Sequence, residues 1–349
     1  MKLGLNLGYW GLGNDADNLA VAQEADRLGY SVVWAAEAYG SDTATVLTWI
    51  AAQTRNVDVG SAVFQIPART PAMTAMTAAT LDTLSNGRFR LGLGVSGPQV
   101  SEGWHGVRFD APLGRTREYI DIVRMALRRE RVNYQGKHYT LPLPDGPGKA
   151  LKLTVHPVRE QIPIYLAAVG PKNLELAGEL ADGWLSIFPS AKNLGDSVAP
   201  IRTGREKVGR TLDGFDVVAN VGVNLDPDLE AAAAPLKMNA ALYIGGMGSR
   251  EKNFYNAHAQ RLGYVDEAKT IQDLYLDGKK EEAIRAVPTG FVDDTSLLGP
   301  LERIADTMAA YAEAGVTTLS IAPAAWELEA RLEIVRTVAA ALDRAGVGS

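Results

Sequence analysis

The sequence has no cysteine among its 349 residues, only four histidines, and no long apolar stretch. The first absence excludes disulfides and thiolate metal sites and fits a reducing cytoplasm. The histidines, His105, His138, His156 and His258, lie far apart without metal-ligand spacing. No run approaches the ~18 apolar residues that a membrane helix needs. Met1 is followed by "KLGLNLGYW" and not by the basic segment and apolar core of a secretory signal. A cytoplasmic protein without a membrane span is therefore expected. Net charge is small, −6, which argues against a nucleic-acid partner. No Gly-x-Ser-x-Gly elbow occurs, and "GPGK" at 146–149 lacks the Walker spacing and the Ser or Thr that would follow it.

What is present is ordinary globular material, 46% hydrophobic and 22% charged. A chain of this length buries roughly three quarters of its unfolded surface without needing staples. Apolar strands alternate with amphipathic helices. "KLGLNLG" precedes a helix expected from near Asp15, with Leu19, Ala22, Ala25 and Leu28 on one face and Gly29 as its stop. "YSVVWAAE" leads to a helix from Asp42 to about Arg55. "VDVGSAVFQ" leads to one opening at Thr70-Pro71 and closing at Asn86-Gly87. "RFRLGLGV", "IPIYLAAV", "GWLSIF", "FDVVANVGVNL" and "VTTLSIA" bring the strand candidates to eight, the number of a (β/α)8 barrel. "EADRLGYSVVW", "AGELADGWLSIF" and "AAYAEAGVTTLSI" repeat one passage from helix end through glycine into a buried strand, as serial βα units with a parallel sheet require. The reading is an α/β protein, a TIM barrel; a doubly wound open sheet is the runner-up.

Three stretches break the rhythm and read as insertions in a single domain spanning 1–349: residues near 98–113, 131–161 and 226–291. The second reads as a hairpin or extended excursion and the third as extra helices; long insertions after barrel strands usually build the active-site rim. "GLGVSG" at 92–97 matches the dinucleotide fingerprint, but Pro98, Gly103 and Gly106 predict irregular chain until about Gly114, where that fingerprint needs a helix.

Barrel chemistry sits past the C-terminal ends of strands. There the sequence has Glu37 and Tyr39, then Gln65 and Arg69, then Ser96 and Gly97, then Gly170 and Lys172. Glu37 directly follows the apolar "SVVWAA", and a partly buried carboxylate needs a partner or a function.

Taken together, "GYSVVWAAEAYGSD", "GSAVFQIPARTPAMTAMTAATLDTLSNGRFRLGLGVSGPQV" and "IPIYLAAVGPKNLELAGELADGW" resemble the bacterial-luciferase-like superfamily, and within it the branch that uses the deazaflavin coenzyme F420. The resemblance runs from the first strand to the last helix except near 226–291. It implies a non-proline cis peptide between Ala62 and Val63, forming a backbone bulge behind the deazaflavin ring and leaving the opposite face for substrate. It puts Glu37 near the ring, Gln65, Ser96 and Gly97 in coenzyme contact, and Ala168, Val169 and Gly170 at the phosphate end, where Lys172 can add charge. Gly97 and Gly170 permit close backbone approach, and a helix opening near Pro171 offers N–H groups to an anion.

The activity implied is hydride transfer between deazaflavin C5 and a small organic substrate, with the ring carrying the difficult chemistry. Glu37 and His105 are the candidate proton donors, and a Glu37→Gln change is expected to lower turnover more than coenzyme affinity. Trp104 is either a stacking wall or a loop anchor. Substrate is expected under the insertion bearing Met238, Tyr243, Met247, Asn253, Phe254 and Tyr255. Sugar-phosphate dehydrogenases of the branch carry a histidine where Ala38 stands and a glutamate where Pro98 and Gln99 stand, which speaks against that activity here. The alternatives are an FMN-dependent luciferase-like monooxygenase and a non-catalytic deazaflavin-binding protein. Relatives often pair through barrel helices, so a homodimer is expected.

Overall fold

Eight parallel strands pair in chain order and close on themselves. The computed structural model describes residues 1–10 and 15–349. The barrel strands are β1 (Lys2–Asn6), β2 (Val32–Ala35), β3 (Asp58–Ser61), β4 (Phe89–Gly94), β5 (Ile164–Ala167), β6 (Gly183–Leu185), β7 (Asp216–Asn224) and β8 (Thr318–Pro323). Leu5 of β1 stands opposite both Val33 and Ile321, and every neighbouring pair around the ring is parallel. An open doubly wound sheet would leave two edges; here β1 and β8 pair, so the architecture is the (β/α)8 barrel.

The apolar runs sort by side. Val33, Ala35, Ile164, Leu166 and Val217 join the large core shared with the helices, whereas Val32, Trp34, Tyr165, Leu185 and Val218 meet inside the barrel. Trp34 fills that interior. Tyr165 meets it edge-on at 5.3 Å, and a methyl on Gly60 would overlap its indole. At the N-terminal end Arg90 binds Asp58 at 2.8 Å and Asp216 at 3.4 Å, and Tyr165 donates to Asp216 at 3.0 Å. This network closes the floor, so chemistry is left to the opposite mouth.

Local signals set the helix starts. The Asp42 carboxylate accepts from Thr45 N at 2.9 Å and opens helix Thr43–Gln53. The Thr70 hydroxyl accepts from Met73 N at 3.1 Å ahead of Pro71–Leu84, which is followed by Asn86 and Gly87, both at positive φ. A 3-10 turn at Asp15–Asp17 leads into helix Asn18–Arg27, and Gly29 follows at φ +78°.

One expectation is corrected. The chain after Gly97 is not irregular: a short helix, Pro98–Gly103, opens there, and the next helix begins at Pro112. Proline suits a first helical turn, and its fixed φ outweighs the breaking effect of the surrounding glycines. The 131–161 excursion keeps only a two-residue antiparallel ladder, Tyr134–Gln135 with Thr140–Leu141, whose turn is held by Glu118 accepting from the N–H groups of Lys137, His138 and Tyr139. The third insertion is helical as expected and builds a satellite core around Ala232, Ile244, Ile271 and Phe291. Past its expected end comes a strand that the sequence reading lacks, Ser296–Leu298, which pairs with Gly222–Asn224 of β7 beyond the point where β6 stops. Among the described residues no helix is long and apolar enough to cross a membrane, and no group of His, Asp and Glu is placed to hold a metal ion.

Candidate active site

The mouth is shaped by an interruption in the sheet. Gly60 pairs with Arg90, and pairing resumes at Phe64 with Leu93, so Ser61, Ala62 and Val63 face only Leu91 and Gly92. Three residues against two make a bulge, the usual device for re-aiming backbone beside a site. The Ala62–Val63 peptide within it is cis, as the resemblance implied. The Ser61 hydroxyl bridges the broken ladder, donating to Gly92 O at 2.8 Å and accepting from Gly92 N at 2.9 Å. Val63 turns toward Gly94, where a methyl would lie 2.6 Å from its Cγ2.

Glu37, just past β2, is the node that holds this region. Its carboxylate accepts from Gln65 N at 3.1 Å, Thr43 N at 3.3 Å, and Arg69 Nε and Nη2 at 3.4 and 3.2 Å. Arg69 also pairs with Asp42 and lies over the Phe64 ring at 4.6 Å. Burial alone would lower the Arg69 pKa, but Glu37 and Asp42 outweigh it and the guanidinium is held above its ordinary value. Gln65 Nε2 donates to Ala38 O at 2.9 Å, and its Oε1 accepts from Ser96 Oγ at 2.8 Å. Glu37, Gln65 and Ser96, from three different strand ends, thus form one hydrogen-bonded chain. Ser96 is in the left-handed region at φ 60°, an uncommon place for a side-chain-bearing residue, and its bond to Gln65 fixes it there. Gly97 follows as the cap of Pro98–Gly103, and a side chain there would meet only the Gln99 amide, at 3.7 Å.

The loop beyond is less engaged. Trp104 is exposed. His105 is half-buried, and its Nε2 is enclosed without a hydrogen-bond partner among the described residues.

The residues expected at the phosphate end lie farther around the mouth, past β5. Ala168 and Val169 line a small cleft with Ser186, Ser190, Asn193 and His258. Gly170 caps helix Pro171–Leu180 in extended conformation, with open space where its side chain would be. Lys172 is exposed at the second position of that helix. A second cation comes from a place that sequence reasoning missed: Arg261 Nη2, on the insertion helix Phe254–Arg261, donates to Val169 O at 3.1 Å. His258, one turn earlier, donates through Nε2 to Phe188 O at 3.0 Å, leaving Nδ1 facing Arg261 Nη2 at 3.5 Å. Burial pushes both the His258 and the Arg261 pKa down. Their one-turn spacing was visible in sequence, but nothing local tied it to Val169.

Of the expected lid residues, Met238 and Phe254 are exposed, whereas Tyr243, Asn253 and Tyr255 turn inward. Asn253 Nδ2 donates to the carbonyls of Tyr243 and Ile244 at 3.1 and 2.9 Å.

Residues 11–318 match the model of the luciferase-like monooxygenase family. The chain belongs to that family. It is 45% identical over 328 residues to a Mycobacterium tuberculosis protein named as a coenzyme F420-dependent oxidoreductase, covering 92% of this chain and 94% of that one. It is 28% identical over 294 residues to the 5,10-methylenetetrahydromethanopterin reductase of Archaeoglobus fulgidus, covering 84% and 85%. The solved coenzyme F420-dependent tetrahydromethanopterin reductase of Methanopyrus kandleri has the same fold, with TM-score 0.81 at 24% identity and 97% of each chain covered. The resemblance read from the sequence is met by this membership and by these relatives.

The site's own geometry fits a long, flat, anionic-tailed coenzyme. The bulge at Ala62–Val63 and the uncrowded Gly97 make a backbone shelf, the enclosed His105 Nε2 is unpartnered beyond it, and the Gly170 cap with Arg261 beside it suits an anion at the far end.

Proposed function

We propose that the protein is a coenzyme F420-dependent oxidoreductase that moves a hydride between deazaflavin C5 and a small organic substrate. The M. tuberculosis relative, matched over nearly the whole of both chains, carries this reading. The bound deazaflavin supplies the hydride chemistry; this chain's residues orient it and shield one face. Ala62, Val63, Ser96 and Gly97 hold the ring, and Ala168, Val169, Gly170 and Lys172 hold the anionic end together with Arg261. His105 keeps the role of candidate proton donor.

For Glu37 we propose positioning rather than proton donation, because four N–H groups converge on its carboxylate. A Gln there would turn an amide N–H toward those donors. Glu37→Gln is therefore expected to loosen Gln65 and Ser96 and to weaken coenzyme binding roughly tenfold or more, the scale of a lost charge-assisted hydrogen bond. Unchanged coenzyme affinity with lost turnover would return Glu37 to the proton-donor role.

The first test is fluorescence titration of the protein with F420 and, separately, with FMN. Micromolar saturation by F420 is expected. Saturation by FMN alone would make the protein a flavin monooxygenase, and binding of neither would remove the coenzyme reading. Binding of F420 with no exchange of its hydride to any substrate would favour the sequestering alternative.

We further propose a cytoplasmic homodimer. Trp49 on helix Thr43–Gln53 and Met73, Met76 and Leu84 on the adjoining Pro71–Leu84 are all exposed apolar groups, a patch of the kind that marks protein contact. Light scattering after size exclusion is expected to give twice the 37.3 kDa chain mass, and Met73→Glu with Met76→Glu to give the monomer. A wild-type monomer at micromolar concentration overturns this.

A further inference from the structure

On the other side of the mouth from the bulge stands a wall of tyrosines that the coenzyme cradle does not use. Tyr9 is delivered by the turn after β1, where Gly8 N donates to Asn6 Oδ1 at 2.8 Å and Gly8 takes φ +63°. Tyr243 lies in the π-helical turn Leu242–Gly246, held by the Asn253 amide. Such turns are rare and recur at functional sites. The two hydroxyls meet at 3.0 Å across 234 residues of sequence. Tyr255 packs perpendicular to Tyr243 at 4.8 Å, and Phe188, just past β6, at 5.7 Å. The pair thus joins the end of β1 to the insertion over the β6–β8 side of the barrel, facing the β2–β4 side where the bulge lies.

The hydrogen-bond inventory of this pair is uneven. Two phenols bring two O–H donors, and one of them is spent on the other hydroxyl. The remaining O–H has no acceptor among the described residues. Burial raises both phenol pKa values, so both keep their protons at neutral pH. Tyr9, Tyr255 and Phe188, which touch Tyr243, and Tyr39, which acts on it through space, carry no formal charge. Arg69 is taken by Glu37 and Asp42, and Arg261, bonded to Val169 O, stands with the residues assigned to the coenzyme's anionic end. Tyr39, past β2 and within electrostatic reach of Tyr9, and Trp326, past β8, are exposed aromatics at strand ends of the rim. A charged ligand pressed against such a wall would lose hydration with no counterion in return.

We propose that the Tyr9–Tyr243 pair is the substrate-oxygen anchor, and that it selects an uncharged, largely apolar ketone, aldehyde or alcohol. The proposal rests on the oxidoreductase reading only in calling this ligand the substrate; a carbon bearing such an oxygen is one that can take or give up a hydride. The free O–H donates to the ligand oxygen, and Tyr255 and Phe188 pack against its carbon skeleton.

The test is calorimetric titration of the F420-loaded protein with cyclohexanone, benzaldehyde and acetophenone, with benzoate and glucose 6-phosphate as charged counterparts. At least one neutral carbonyl is expected to saturate the site, and the two charged compounds are not. Tyr9→Phe and Tyr243→Phe keep the rings and remove one hydroxyl each; each is expected to weaken the carbonyl roughly tenfold, the scale of one hydrogen bond. Neither is expected to change F420 affinity or the melting temperature by more than about 2 °C. Equal carbonyl affinity in the Phe variants, preference for benzoate, or no neutral carbonyl bound by the wild type would each overturn the anchor. Failure of the wild type to take up F420 is a separate result that strikes the coenzyme reading, and carbonyl titration of the unloaded protein then decides the anchor by the same variants.

Discussion

Gly92→Ala is expected to cost the fold about 3 kcal/mol or more and to take coenzyme binding with it, because the new methyl would overlap the Ser61 carbonyl oxygen and crowd Leu185 Cδ1. Overpacking of side chains is often relieved by small rotations. Here the first obstacle is backbone, and that backbone is the start of the bulge. Relief would require β3 to move away from β4, which breaks both Ser61–Gly92 hydrogen bonds and shifts the Ala62–Val63 shelf. Chemical denaturation of wild type and variant reads the stability loss, and F420 titration of whatever remains folded reads the site. Gly195→Ala is the control: its side chain would meet nothing within 4 Å in helix Leu194–Lys207, so stability is expected to stay level or rise by up to ~1 kcal/mol. A Gly92→Ala protein within about 1 kcal/mol of wild type would mean that the strands part more easily than this geometry allows.

Asp82→Asn should be nearly as damaging, though for an electrostatic reason. Asp82 is fully buried near the end of helix Pro71–Leu84. It accepts from Val158 N at 3.0 Å, Arg159 N at 3.2 Å, and Arg159 Nε and Nη2 at 2.8 and 2.5 Å. Arg159 continues to Phe89 O at the start of β4. One carboxylate therefore ties the end of the 131–161 excursion to the base of the barrel. Removing its charge leaves the partly exposed Arg159 without its counterion and turns an amide N–H toward donors, a loss of about 2–3 kcal/mol. Urea unfolding measures it. The double change Asp82→Leu with Arg159→Met, which removes both charges, should recover part of the loss; a double variant as unstable as the sum of the single ones would show that shape, and not charge, holds the joint.

Architecture was legible in the sequence wherever it depended on neighbours in the chain. Asp42 and Thr70-Pro71 announce their helices because capping is satisfied within three residues, and the eight apolar runs count the barrel because each strand is covered on both sides. Pro98 suits both a loop and a first helical turn; read with Gly103 and Gly106 it pointed to loop, and the chain formed a helix. Ser296–Leu298 is too short to show a period, and it is a strand only because β7 extends past β6 and offers it an edge.

The site divides along the same line. Glu37 stood out as a carboxylate after an apolar strand, but its meaning came from Thr43 on one segment and from Gln65 and Arg69 on another. His258 and Arg261 meet the β5 and β6 ends, and Tyr243 meets Tyr9, across sequence separations of 70 to 234 residues. By itself the sequence determined the barrel, its family resemblance and the strand ends where chemistry belongs, since periodicity, capping and turn formation are short-range. Only the tertiary structure decided which side chains share a hydrogen bond at the mouth, because that depends on how a closed ring of eight strands brings distant loops to the same few ångströms.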